Sequence, residues 1–334
     1  MSINTSKCTD LDYINFLIAA SNIYSCTEAA RCYPSTTDSP SHDCFTRLLQ
    51  KQPSDTEPLW NEVRKFITPK KGFLIVDDTT LDKPYSEKMG FVRYQWSGKH
   101  HRIVKGIGLV TLLWTDGNKI IPVDFRIYDI DEDEKTKNDH FRDMLEKAKE
   151  RGFEPKYVMF DIWYASIKNL KAIKKKQWHF LTRLKSNRLV NPDNTKNIPL
   201  ETIDIPPKGI VVHLKGYDFV KVFRIVSKKE DTQYWATDVL DMDESEREDL
   251  GNESWKIEEY HRGIKQFCGV EKCQARKKES QRAHVMLSLR AFLRLEVQRF
   301  KNGISWFESK MNIHRVAATA YLSEPKYKLN FLRY

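Results

Sequence analysis

Apolar positions change their spacing along this chain, and each change predicts a change of architecture. Between Asp12 and Ala20 they recur at helical intervals, and the segments from Thr27 and Ser41 open with residues whose side-chain oxygens cap a first turn. Pro34–Pro40, between the last two, reads as a turn. Three short helices suit a helix-turn-helix-like unit whose last helix enters a major groove, and equally a small bundle that packs on the next domain. From Lys71 the pattern becomes strand-like. Gly72–Val76 is an apolar run ending in Asp77 and Asp78, and Ile103–Thr115 and Lys119–Tyr128 flank a hairpin signal at Asp116 and Gly117. Asn138–Gly152 returns to helical spacing through Phe141, Met144, Leu145 and Ala148, with Gly152 as its stop.

Lys156–Phe160 is then a strand closed by Asp161, Ser166–Lys176 a helix and Trp178–Leu184 a strand. That order predicts a mixed α/β sheet with helices on its faces. Asn187–Asp241 is strand-rich again, at Gly209–Leu214, Asp218–Val226 and Thr232–Thr237, and reads as an all-β insertion. A flexible acidic linker, Asp241–Asp249, precedes two helices, Glu253–Phe267 and Ser280–Lys301. The remainder is basic and aromatic without clear period.

Composition narrows the partners. Among 334 residues, 56 Lys and Arg face 46 Asp and Glu, a formal charge of +10 that favours a polyanion, nucleic acid first. The cysteines at 8, 26, 32, 44, 268 and 273 form no CxxC pair and read as reduced thiols; a zinc site from Cys26, Cys32, Cys44 and His42 is conceivable but lacks finger spacing. No basic segment followed by an apolar run opens the chain, and the longest apolar stretch, Ile107–Trp114, is strand-length. The expectation is no secretory signal, no membrane span, and a cytoplasmic or nucleoid-associated protein.

The chemistry lies in carboxylates. An ionised group at the end of a buried strand is costly unless a cation or hydrogen bonds compensate it, and sites in open α/β sheets gather where strands end. Asp78 and Asp161 both stand there, although either could simply cap its turn. Laid out at about 100° per residue, the helix Trp255–Phe267 puts Ile257, Tyr260, Ile264 and Phe267 on one side and Glu258, His261, Arg262 and Lys265 on an adjacent one. Glu259 points away from that stripe, so Glu258 is the third ligand; with Arg262 it also makes an ordinary i,i+4 pair. Two Asp and one Glu suit Mg²⁺ or Mn²⁺, and two such ions about 3.5–4 Å apart clamp the attacking and leaving oxygens of an in-line phosphoryl displacement. Adjacent strand residues face opposite sides, so only one of Asp77 and Asp78 can join the site. Lys174, Lys175, Lys176, Arg183 and Lys185, and later Arg276, Lys277 and Lys278, are basic clusters that either position DNA through its phosphates or form solvated faces.

The motifs Asp77-Asp78-Thr79-Thr80, Asp161–Tyr164 and Trp255–Lys265 together resemble bacterial insertion-sequence transposases of the DDE type. The resemblance implies a ribonuclease H-like fold with a β-rich insertion between the second Asp and the Glu, and an enzyme that binds element ends, cleaves DNA and joins 3′-hydroxyls to a target. It assigns Asp78, Asp161 and Glu258 as catalytic metal ligands for two Mg²⁺ or Mn²⁺ ions, and Lys265, with Arg262 and His261 beside it, as a DNA contact. Lys265 matches the lysine of the family's Tyr-Arg-Glu-Lys signature; Ser254 and Gly251 stand at its Arg and Tyr positions, which places the chain in a neighbouring branch. In relatives an aromatic residue of the insertion stacks on a flipped base; Trp235 and Tyr234 qualify, and so would serve as core residues of a small sheet. The implied division is an N-terminal helical DNA-binding region at 1–67, a catalytic core at 68–186 and 242–301, the insertion at 187–241 and a basic tail at 302–334. The implied partners are double-stranded DNA and a second copy of the chain during synapsis. The competing readings are a catalytically inactive DNA-binding derivative and a nuclease that cuts without joining.

Overall fold

A computed structural model describes residues 7–34, 39–98, 100–226 and 231–325. The turn expected at 34–40 and the end of the expected tail fall largely outside them. The helices are α1 (Asp10–Ala19), α2 (Cys26–Cys32), α3 (His42–Lys51), α4 (Glu57–Val63), α5 (Ile130–Asp133), α6 (Lys137–Glu150), α7 (Ile167–Lys175), α8 (Glu244–Ser254), α9 (Lys256–Phe267), α10 (Lys278–Asn302) and α11 (Trp306–Ser323). The strands are β1 (Phe73–Asp82), β2 (Arg93–Ser97), β3 (Arg102–Thr115), β4 (Ile121–Tyr128), β5 (Tyr157–Phe160), β6 (His179–Leu184), β7 (Leu189–Asn191), β8 (Ile198–Pro199), β9 (Ile210–Leu214), β10 (Phe219–Val226) and β11 (Thr232–Thr237). Two compact units result: residues 55–262, and residues 1–54 with 263–334.

In the unit 55–262 one sheet runs β3-β1-β5-β6-β11-β10-β9-β7-β8, with β2 and β4 both paired to β3. The long β3 is antiparallel to β1 and β4, whereas β1, β5 and β6 are mutually parallel. Parallel neighbours need crossovers, and α6 and α7 supply them. Three antiparallel strands followed by two parallel ones make the ribonuclease H-like arrangement. Leu74, Ile75 and Val76 are all buried, because β1 is central and both its faces are covered. On α6, a Thr136–Asp139 capping box starts the helix, Phe141, Met144, Leu145 and Ala148 are buried, and Gly152 follows at φ +81°. Burying each large side chain of that face contributes about 1.5–3 kcal/mol.

The strands of the expected all-β insertion at 187–241 prolong the core sheet, since β11 pairs antiparallel with β6, Trp235 against Arg183. Two expectations need correction. The acidic stretch expected as a flexible linker folds as α8, since Asp243 caps Glu246 N and Glu244 and Glu246 occupy a first turn where the helix dipole favours negative charge. Residues expected as an unpatterned tail contain α11, capped by Ser305. The short edge strand β2 carried no recognisable signal, because its Tyr94 and Trp96 are exposed.

In the other unit α10 is buried along most of its length, which explains why its apolar residues show little one-sided pattern. Helices α1 and α3 pack against it; the Tyr13 hydroxyl lies 3.0 Å from His284 Nδ1. A Cβ at Gly263 would lie 2.9 Å from Phe292 and 3.0 Å from Trp306, so this close approach requires glycine. The N-terminal helices thus form a bundle with α10, while α3 leaves His42, Asp43, Arg47 and Gln50 exposed.

Candidate active site

Register builds the site. Strands β1 and β5 pair in parallel as far as Val76 beside Phe160, and the residues that follow, Asp77 still in β1 and Asp161 just past β5, line the same cavity. Helix α9 is held by its buried Ile257, Tyr260 and Ile264, which leaves Glu258 exposed. Asp77, Asp161 and Glu258 line one cavity of about 200 Å³, together with Arg183, Trp235 and Trp255.

Asp78, the residue expected here, does not line that cavity. The Lys137 ammonium donates to its Oδ2 at 2.6 Å and the Tyr164 hydroxyl to its Oδ1 at 2.7 Å. Tyr164 is itself buried and stacked on Phe141 of α6, ring centroids 5.4 Å apart. Asp78 therefore ties β1 to α6 and to the 3₁₀ turn Ile162–Tyr164 after β5. A sequence signal for Asp77 was present: Phe73–Val76 and Tyr157–Phe160 are both four-residue apolar runs followed at once by Asp.

Burial pushes the Asp77 carboxyl well above the ordinary carboxylate range, and the negative charges of Asp78, Glu258 and Asp161 push in the same direction. Buried His261 places Nδ1 4.0 Å from Asp77 Oδ2. Asp161 Oδ1 accepts from Ile162 N and from the Arg183 guanidinium, each at 2.6 Å. Glu258 makes no ion pair among the described residues. As the side chains stand, no three His, Cys, Asp or Glu among the described residues are close enough to share an ion. The donor set nonetheless fits a hard divalent cation, since three carboxylates border one cavity and their mutual repulsion is what such a charge would remove.

The other sequence-selected residues are scattered. Trp235 lines the cavity, its ring 5.9 Å from the Arg183 guanidinium carbon, whereas Tyr234 is buried. Arg262 and Lys175 are exposed; Lys174 is paired with Asp218. Lys176 is buried against Glu146, which removes it from any phosphate-binding surface. Lys265 falls in the helical unit, 3.7 Å from Glu271, as do exposed Arg276 and Lys277 and half-buried Lys278. Lys185 holds its ammonium 5.3 Å from the ring of Trp163, a residue not singled out from the sequence.

Comparison with known proteins decides the family: a model described as the transposase DDE domain matches residues 68–294, more than half of the chain. The chain belongs to this transposase family. Its mixed α/β sheet is thus that of a DDE transposase domain. A solved structure, the Drosophila P element transposase strand transfer complex, is similar at 10% identity and a TM-score of 0.30, over 57% of this chain and 47% of that one. The chain thus spans about half the length of that neighbour. No curated protein is similar at a significant level. No helix among the described residues is long and apolar enough to cross a membrane.

Proposed function

We propose that this chain is a transposase that cleaves DNA at the ends of a mobile element and joins the freed 3′-hydroxyls to a target, with Asp77, Asp161 and Glu258 as its metal-binding carboxylates. One observation carries the reading: carboxylates from β1, β5 and α9 border one cavity at the strand ends of a ribonuclease H-like sheet. Bound by these groups, two Mg²⁺ or Mn²⁺ ions would supply Lewis-acid stabilisation of both the attacking and the leaving oxygen of a phosphodiester.

The chain's own residues prepare that site. Asp77 and Asp161 are fixed by the register of adjacent strands, so their carboxylates present a constant spacing to any cation. His261 stands beside Asp77, its Nδ1 4.0 Å from Oδ2, close enough for a cationic imidazole to offset that carboxylate's charge. Arg183 donates to Asp161 and lines the same cavity, where its guanidinium would bind a phosphate oxygen. Trp235 in the cavity wall offers a flat face for an unpaired base. Arg262 and Lys175 on this unit, and Lys265, Arg276, Lys277 and Lys278 on the helical unit, add phosphate-binding charge, and α3 offers a polar face to duplex DNA. Such a protein works on chromosomal DNA in the nucleoid, and joining two element ends calls for two copies of the chain in the synaptic complex.

The test is incubation of the full chain with linear DNA carrying the terminal repeats that flank its coding region, in Mg²⁺, in Mn²⁺ or in EDTA. Metal-dependent nicking followed by joined products supports the proposal. Binding without cleavage in either metal favours an inactive derivative, and cleavage without joining favours a nuclease.

A further inference from the structure

The short turn after β5 presents an aromatic side chain in an unusual setting. Asp161 caps the 3₁₀ turn Ile162–Tyr164, and Tyr164 anchors it inward through its stacking on Phe141 and its bond to Asp78. With both ends fixed, Trp163 stands outward, 64% exposed. Two residues of chain span at most about 7 Å, so the Cα of Trp163 lies within that distance of the Cα of Asp161. Lys185, just past the end of β6, holds its ammonium 5.3 Å from the ring centroid. Neighbouring Arg183 bridges Asp161 and Trp235 in the same way, at 2.6 Å from the carboxylate and 5.9 Å from the indole.

Two cation-bearing indoles therefore belong to the neighbourhood of Asp161, Trp235 through the shared Arg183 and Trp163 through two residues of chain. Trp235 lines the cavity, while Trp163 does not. An exposed aromatic face beside an ammonium matches a nucleotide in both of its parts, a base to stack and a phosphate to neutralise. A protein partner would use an apolar patch that continues around the indole; here its neighbour is a lysine at the edge of an acidic site. The turn is anchored before any ligand arrives, so stacking on it orders little that is not ordered already.

We propose that Trp163 and Lys185 form a nucleotide subsite that stacks an unpaired base near the phosphodiester being cleaved, outside the cavity that Trp235 lines. This rests on the reading of Asp77, Asp161 and Glu258 as the site of DNA cleavage. Trp163 acts by positioning the strand and takes no part in the bond making.

The experiment compares two DNA probes with the full chain in EDTA, a blunt duplex and the same duplex with a short unpaired 3′ overhang containing 2-aminopurine. Wild type is expected to bind the overhang duplex more tightly and to quench its fluorescence. Trp163→Ala should weaken overhang binding roughly tenfold, the usual scale for one stacked base, and leave the blunt duplex unchanged. Trp163→Tyr should restore most of the preference, and Lys185→Ala should flatten the salt dependence of overhang binding. Equal loss on both probes, or no loss on either, overturns the subsite. In a parallel cleavage assay, wild type that cleaves while Trp163→Ala shows unchanged KM and kcat sinks the subsite alone; wild type that neither binds nor cleaves DNA sinks the underlying reading with it.

Discussion

Exchanging the two adjacent carboxylates of β1 separates catalysis from architecture. Asp78 accepts from Lys137 and Tyr164, and both members of the Asp78–Lys137 pair are about three-quarters buried, at 21% and 27% exposure. Hydrogen bonds to a charged group contribute about 1.5–3 kcal/mol each, but Lys137 can regain water when its partner is removed. Buried Tyr164 cannot. Asp78→Ala should therefore cost about 2–3 kcal/mol, which in a unit of about two hundred residues lowers Tm by roughly 5–10 °C. Asp77 is the opposite case. Its carboxyl is opposed by burial and by Asp78, Glu258 and Asp161, so Asp77→Asn removes repulsion and should leave Tm unchanged or raised. Loss of a ligand that contributes several kcal/mol of transition-state stabilisation corresponds to roughly a thousandfold loss of cleavage. Asp78→Asn, which keeps an oxygen for Tyr164, should stay within about tenfold of wild type. The assay is thermal unfolding beside Mg²⁺-dependent cleavage for each variant. A folded, inactive Asp78→Asn alongside an active Asp77→Asn would refute the register argument.

Other expectations rest on the same geometry. Glu258→Gln should abolish cleavage and keep DNA binding, while Glu259→Gln, outside the cavity, should cleave normally; the reverse result in a gel-based assay would mean that α9 is set in another rotation. Gly263→Ala forces a methyl against Phe292 and Trp306 and should destabilise the helical unit by about 1–3 kcal/mol, read as a lower denaturation midpoint. Burial lowers the His140 pKa below 6.5, so below that pH the unfolded chain binds a proton that the native one resists. Stability should therefore fall as pH drops through about 6.5, and His140→Gln should remove that part of the slope in urea titrations at pH 7 and 5.5.

Much of the fold was legible in local pattern. The apolar run that ends at Asp77, the hairpin at Asp116 and Gly117, and the helical face Phe141-Met144-Leu145-Ala148 each specify an element by themselves, because strand and helix periods differ. Two of the acidic positions were legible for the same reason: Asp161 closes a four-residue strand and Glu258 follows helical phase. Less legible were elements whose stability comes from caps or from neighbours, such as α8, started by the Asp243 side chain, and β2, an edge strand paired to β3.

What the sequence by itself determined is most elements of the core and a pattern of strand-end carboxylates and a late helical Glu on a basic chain. Which of the adjacent carboxylates lines the cavity, and that Trp163 does not line it, is visible only in the tertiary structure. Side-chain direction along a strand alternates, so neighbours on β1 meet different surroundings: Asp77 shares a cavity with Asp161, which follows β5, while Asp78 is held by Lys137 of α6.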